Sequence, residues 1–418
     1  MSERGGRRHR VAITGLGLKA PGGLTVDEAM EALLSGKSAA ETLPHLVEAR
    51  SPVTFACRVP DFELSSYLGP REWRQMDRSA VLMAAATADA VRSAGLAETG
   101  QEDMGVAVGT GMAGLDVAAE VAPAHVDDPA GMPTYTVLRI MANSAAARVG
   151  LRLGAKKSCL TYATACASGA TAIGESMEKI RSGELERVVA GGVDSALSPL
   201  VLGAFFRVGA VSRRNDDPGA ASRPFDRDRD GFVMGEGAAM MVMERWESAE
   251  ARGATILGEA LGYASTSDAH HVVAPVQDGS SAAACMRLAL ADAGLAPAGI
   301  GHVNAHGTAT VLNDRAEARG IAACFGDDMP PVTASKGVTG HLVGGAGAFE
   351  AVMGLVCAAR GLVPPVANLG GGPDADLLDL VTGGPRRIPP APVLSNSFGF
   401  GGHNACLVLA PAAWDRRP

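Results

Sequence analysis

The run Arg187-Val-Val-Ala-Gly-Gly-Val-Asp194 carries no polar side chain between its ends, so a strand built from it has no face to offer water. A half-exposed strand alternates apolar and polar residues, whereas a continuous apolar run fits a strand covered on both sides. Met104–Gly109 and the glycine-interrupted Gly231–Met243 read the same way, and Ser158–Ala163 reads as a further strand. Segments of helical period lie between them at Val26–Ser35 and at Asp77–Ala94, the second with Asp77 as its N-cap, and a long apolar segment covers Pro133–Gly150. This alternation predicts an α/β fold around a mostly parallel sheet with helices on each side. Near residue 255 the pattern restarts: strand Ile256–Tyr263, helix Ser280–Ala293, strand Gly301–Ala305, helix Asp314–Phe325, and a closing strand pair Val393–Asn396 and Ala405–Leu409. The chain therefore divides into two similar halves, 10–254 and 255–412, with residues 1–9 as a disordered leader and 413–418 as a tail.

Composition narrows what such a chain does. A net charge of −8 argues against non-specific nucleic-acid binding and against a polybasic membrane footprint. No run of eighteen apolar residues is present, and no apolar core follows the basic first ten residues. The seven cysteines are scattered without a Cys-x-x-Cys pair, which points away from a disulfide framework or zinc site and fits a reducing cytoplasm. Arg10–Thr14 followed by Gly15–Gly23 has the look of a first strand and its turn, but the glycine spacing and Pro21 are wrong for a dinucleotide fingerprint. Ser212–Asp230, the most polar interior stretch, reads as a solvated loop.

Cys166 stands between the strand Ser158–Ala163 and an apolar helical run through Ile173, Met177 and Ile180. A thiol on such a strand-to-helix turn faces unpaired N–H groups and the helix dipole, which favour the attacking thiolate. Free cysteine is also among the most buried residue types, so this position alone decides nothing. Three further blocks change the balance. His306 ends a strand in His306-Gly-Thr-Ala-Thr310, ahead of Asn313, Asp314 and Glu317; Lys336 and His341 lie in Ser335-Lys-Gly-Val-Thr-Gly-His341; and Ser395-Asn-Ser-Phe-Gly-Phe-Gly-Gly-His-Asn404 precedes the last strand.

With Thr164-Ala-Cys-Ala-Ser-Gly169 and the run from Ser222-Arg-Pro-Phe-Asp to Met234-Gly-Glu-Gly237, these blocks resemble the elongating β-ketoacyl-acyl carrier protein synthases of the thiolase superfamily, over essentially residues 9–412. The resemblance implies a thiolase fold, two pseudo-duplicated halves with mixed β-sheets in a layered αβαβα arrangement, and a homologous dimer. It implies that Cys166 carries the acyl group, that the N–H groups of Cys166 and Phe400 hold the oxyanion, and that His306 and His341 serve malonyl decarboxylation. It pairs Lys336 with Glu317, makes Phe400 between Gly399 and Gly401 a gate, and gives Thr308 and Thr310 to the phosphopantetheine arm. Val273 and Ala274 stand where the family commonly has a Thr-Ser pair. Arg71, Arg74, Arg207, Arg213 and Arg214 are candidates for an acidic carrier protein, and Ala118, Thr136 and Phe205 for the acyl pocket. No metal or soluble cofactor is implied, since substrates ride on the carrier's phosphopantetheine. The same motifs suit the catalytic ketosynthase of a type II polyketide system acting beside a chain-length-factor partner. The remaining alternative is a catalytically silent binding protein on the same fold, against which the Cys-His-His-Lys set speaks.

Overall fold

The computed structural model describes residues 8–414. Residues 1–7 of the expected leader and 415–418 of the tail lie outside them; Arg8 pairs with Glu178 and Asp292.

Ten strands form one continuous sheet: β1 (Val11–Lys19), β2 (Met104–Gly109), β3 (Cys159–Tyr162), β4 (Arg187–Asp194), β5 (Gly237–Arg245), β6 (Gly258–Ser267), β7 (His302–Asn304), β8 (Val332–Thr333), β9 (Val393–Gly399) and β10 (His403–Pro411). Their spatial order is β8-β7-β9-β10-β6-β1-β5-β4-β2-β3. Each half uses the same order and the same senses. In the first, β2 runs parallel to β3 and β4, while β5 is antiparallel to β4 and β1. In the second, β7 runs parallel to β8 and β9, while β10 is antiparallel to β9 and β6. An antiparallel contact of β1 with β6 joins the halves. The duplication too faint to prove in side chains is thus explicit in topology. The expectation of a mostly parallel sheet is corrected to a mixed one. Only three residues separate β9 from β10, and so short a connection can join only antiparallel strands.

Three helices repeat in each half: α1 (Arg78–Ser93), α2 (Ser144–Leu153) and α3 (Ser168–Arg181), then α4 (Ser280–Ala293), α5 (Val311–Phe325) and α6 (Ala346–Arg360). Asp77 caps α1 through the N–H of Ser79. Strand alternation sorts the core into layers. Val106, Val108, Met240 and Val242 face α1 and α2, whereas Ala107, Ala239, Met241 and Met243 face α3 and α6. Val393, Leu407 and Leu409 turn to that same central layer, and Leu394, Cys406 and Val408 turn to α4 and α5. The result is αβαβα, with α3 and α6 between the two halves of the sheet. The segment Val343–Arg360, which includes α6, is long and apolar enough to cross a membrane, and it is buried in this core.

Two polar-looking stretches fold differently from their sequence reading. Gly15 and Gly17 lie inside β1 rather than in a turn, because a Cβ at either would stand 2.1 Å from the carbonyl oxygen of Ala90 or Ala86 in α1. Ser212–Asp230 is not a freely solvated loop: Phe225, Asp226 and Arg229 are buried. The guanidinium of Arg229 donates to the carbonyls of Thr310 and Val311 and pairs with Asp374, so this stretch props the segment that follows His306.

Candidate active site

Cys166 occupies a tight turn, Ala165–Ala167, between β3 and α3, with Ala165 at φ +50°. Ser168 closes the turn, accepting from the N–H of Thr164 and donating to the carbonyl of Ala165. Asp194, at the end of β4, accepts from the Thr110 hydroxyl and from the N–H groups of Gly111, Met112 and Gly344. One carboxylate thereby ties the loop after β2 to the turn before α6, both beside the Cys166 turn. Burial pushes Asp194 up to about 6 against those donors. The β9–β10 turn reaches over from the second half. A Cβ on Gly399 would lie 2.8 Å from the Thr164 carbonyl oxygen and 3.1 Å from the Cys166 nitrogen, so only glycine allows this approach.

The N–H groups of Phe400 and Cys166 and the charge of Lys336 draw the Cys166 thiol toward ionisation, but burial outweighs them and pushes it up to about 11. The N–H groups favour the thiolate in the direction expected, and burial keeps the resting thiol neutral until it reacts. Alkylation of Cys166 by iodoacetamide is expected to accelerate about tenfold per pH unit between pH 7 and 9, because the thiolate fraction grows in that proportion below the pKa. A rate already level at neutral pH would restore the thiolate.

His306 and His341 come together at the ends of β7 and of the short helix Lys336–Thr339, their ring centroids 5.4 Å apart and edge-on. Cys166 Sγ and one ring nitrogen from each histidine lie within 4.8 Å of one another. Both imidazoles are held well below the usual histidine range by burial and then by the charge of Lys336, so both are neutral. The Nζ of Lys336 lies 3.2 Å from His306 Nδ1 and donates to the His306 carbonyl at 2.6 Å. An ammonium only donates, so Nδ1 accepts and the ring proton sits on Nε2. Among the described residues His341 meets no hydrogen-bond partner at either nitrogen, so its ring is free to donate from one and accept at the other. Phe232 packs edge-on against His341 at 5.2 Å, and Phe398 against His306 at 6.0 Å.

The pairing of Lys336 with Glu317 is corrected. Lys336 bonds Glu350 of α6, which also accepts from the Ser335 hydroxyl. Glu317 instead accepts from the N–H groups of His306 and Gly307, at 2.7 and 2.8 Å, and from the Asn396 side chain. It positions the backbone of His306 and is pushed up to about 7 by burial. Glu350 was missed in the sequence, although a lone carboxylate inside the apolar run Ala346–Ala358 was a usable signal. Asp194, Phe232 and Phe398 were missed as well. Among the described residues, Cys166, His306 and His341 are the one cluster close enough to hold a metal ion. Lys336 opposes that use, since it places a positive charge beside the cluster and a proton on the nitrogen that would have to bind.

Cys166 and both histidines line a funnel that opens to solvent. Thr308 and Thr310 line its wall, their hydroxyls 2.9 Å apart. Val273 and Ala274 present apolar side chains to it, and their N–H groups both donate to His271 Nδ1 at 3.0 Å. The ring of Phe400 stands 6.4 Å from that of Phe205, and the turn carrying it is tied across the funnel by Gly401 N–H to the Val272 carbonyl and by Asp268 N–H to the Gly402 carbonyl. Gly401, at φ +85°, makes that turn possible. Arg207 and Arg213 are exposed and Arg214 half-exposed on segments that supply Phe205, Val208 and Asp230 to the funnel. Arg71 and Arg74 flank a separate exposed turn around Trp73 and do not reach it. Of the acyl-pocket candidates Phe205 lines the funnel, whereas Ala118 and Thr136 sit outside its lining on the helices Leu115–His125 and Thr136–Ile140.

This arrangement joins a buried thiol with the Phe400 N–H on its sulfur to two neutral imidazoles and a locked lysine–carboxylate pair. Family models of the β-ketoacyl synthase N-terminal and C-terminal domains match residues 8–249 and 257–370. The chain belongs to the β-ketoacyl synthase family. As a member it is a condensing enzyme of the acyltransferase type. It is 39% identical to a 3-oxoacyl-[acyl-carrier-protein] synthase 2 of Synechocystis over 96% of this chain and 98% of the relative. Among solved structures, a β-ketoacyl synthase from Burkholderia phymatum superposes with a TM-score of 0.90 at 34% identity, covering 97% of this chain and all of the other. The ishigamide ketosynthase/chain length factor gives a TM-score of 0.89 at 34% identity with the same coverage. The fold and reaction class implied by the motifs are those of this synthase family.

Proposed function

We propose that this chain is a β-ketoacyl-acyl carrier protein synthase that condenses a Cys166-bound acyl group with malonyl carrier protein. The observation that supports it most is the meeting of Cys166 Sγ with the two neutral ring nitrogens inside 4.8 Å, under the Phe400 N–H. In the first half-reaction Cys166 Sγ bonds the acyl carbonyl carbon and the carrier's thiol leaves. The developing oxyanion takes the N–H groups of Cys166 and Phe400, and His341 passes the thiol proton to the departing sulfur. In the second, the bond from the malonyl α-carbon to its carboxylate breaks and CO₂ leaves. The electron pair enters an enolate whose oxygen accepts from His306 Nε2–H and from His341. The α-carbon then bonds the acyl carbon, and Cys166 leaves as thiolate. Thr308 and Thr310 hold the phosphopantetheine arm, Phe400 gates the acyl group, and Arg207, Arg213 and Arg214 meet the acidic carrier at the mouth. All seven cysteines are free, in keeping with the cytoplasm.

Mass spectrometry after incubation with a panel of acyl carriers is expected to show one acyl group on the peptide containing Cys166. Label on another cysteine, or none from any carrier, would remove the reading. For assembly, β3 forms one edge of the sheet with Leu160 exposed on it, and Tyr135, Val137, Leu138 and Met141 are exposed on the segment that precedes α2. An unpaired edge beside apolar side chains suits a homologous protomer. A homodimer is the first reading; the likeness to the ishigamide pair favours a chain-length-factor partner as the second. The native mass of the purified particle, alone and co-expressed with such a homologue, is expected to be that of a dimer. A monomer in both cases would exclude each reading.

A further inference from the structure

Four large apolar side chains stand in water at the mouth of the funnel. Val208 is 54% exposed, Val311 44% and Leu312 43%, and all three line the opening. Val272, 73% exposed, adjoins Val273 and Ala274 of the same wall. They come from three separate segments: the C-terminal end of the helix Pro199–Val208, the first turn of α5, and the loop after β6. Their backbones are held in place. Gly209 ends the first helix at φ +74°, Arg229 donates to the Val311 carbonyl, and the Gly401 N–H donates to the Val272 carbonyl. A single apolar side chain on a surface needs no explanation, but several gathered around one opening mark a surface that something covers. Charge at the mouth is balanced rather than basic. Arg214 stands 3.6 Å from Asp230 and donates to the Asp228 carbonyl, and the Arg213 guanidinium lies 4.5 Å from the centre of the Phe206 ring. Among the described residues the lining holds Asp230 and Asp268 but no lysine or arginine, so the three nearby arginines face two carboxylates.

We propose that Val208, Val272, Val311 and Leu312 form an apolar collar on which the carrier protein seats an apolar patch next to its phosphopantetheine, with Arg207, Arg213 and Arg214 as the polar rim. The proposal rests on the condensing reading of Cys166, His306 and His341, because a carrier-borne thioester brings a protein body to the mouth. The arm threads the funnel, so the carrier surface beside its attachment point is held against the collar, continuous with the site that the arm occupies. Interfaces place apolar contacts at their centre and charges at their edge. Edge charges act mainly on encounter and fade with salt, whereas apolar contact governs release and persists. With attraction and repulsion nearly cancelling at this mouth, the collar carries most of the affinity and docking tolerates salt.

The test uses the double variant Val272→Ser, Leu312→Ser, which alters two exposed side chains and keeps the backbone hydrogen bonds, so the fold is retained. CO₂ release would be followed with malonyl carrier protein and, in parallel, with malonyl-pantetheine, which has the arm without the protein. In the double variant KM for malonyl carrier protein is expected to rise about tenfold with kcat unchanged, as for truncation at the centre of an interface. Both constants for malonyl-pantetheine are expected to stay as they are. In the unaltered enzyme, KM for malonyl carrier protein is expected to change less than about threefold between about 0.05 and 0.5 M NaCl. An unchanged KM in the double variant, or a KM in the unaltered enzyme that climbs about tenfold with salt, would overturn the proposal. So would an equal rise with malonyl-pantetheine, which would give the collar to the arm. An unaltered enzyme that releases no CO₂ from either substrate would defeat the condensing reading instead. Binding of fluorescently labelled holo-carrier to the unaltered enzyme and to the double variant would still decide the collar, equal affinities overturning it.

Discussion

Replacing Cys166 with alanine is expected to lower condensation by at least about 10⁴-fold while malonyl carrier protein continues to lose CO₂. The size follows from the proposed role: among the described residues no other thiol lines the funnel, and losing the nucleophile of an acyl-transfer site removes the covalent route entirely. The asymmetry follows from geometry. In the proposed mechanism the enolate oxygen accepts from His306 and His341, and among the described residues neither ring is hydrogen-bonded to Cys166. Product formation measured by chromatography and CO₂ release measured in parallel would separate the two half-reactions. Equal loss of both would mean that the sulfur itself supports decarboxylation, and full condensation would remove Cys166 from the mechanism.

Most of the layer order and the place of Cys166 on a strand-to-helix turn were legible in the sequence, and the reasons are local. A strand such as Arg187–Asp194 is buried on both faces and says so through its own side chains. Cys166 is marked by the turn between β3 and α3, and Asp77 by its position before α1. What stayed hidden depends on contacts between distant segments. Gly15 and Gly17 look like a turn because sequence does not show the carbonyls of Ala86 and Ala90 pressing on them. Arg229 and Phe225 look solvated until Thr310, Val311 and Asp374 close around them. The identity of the partner of Lys336 is the sharpest case. Glu317 and Glu350 are both buried carboxylates on helices of the second half, and only the direction each helix points its side chain separates them.

That separation has a measurable consequence. Lys336→Met is expected to lower decarboxylation by about 10²-fold, and Glu350→Gln by a similar factor, because either change frees the tautomer of His306. Since the two residues act as one unit, the double variant should be no slower than either single one. Glu317→Gln acts on the backbone of His306 and Gly307 instead, so its loss should multiply with that of Lys336→Met. The pH dependence carries the same sign argument. Burial raises the Glu350 pKa above the usual carboxylate range while Lys336 opposes it. The charged pair is therefore present above that raised pKa and is lost as pH falls through it, which places the acid limb of decarboxylation above that of a solvent-exposed carboxylate. In Glu350→Gln that limb should disappear. A Lys336→Met and Glu317→Gln double variant no slower than either single one would return Glu317 to the lysine and undo the assignment of Glu350.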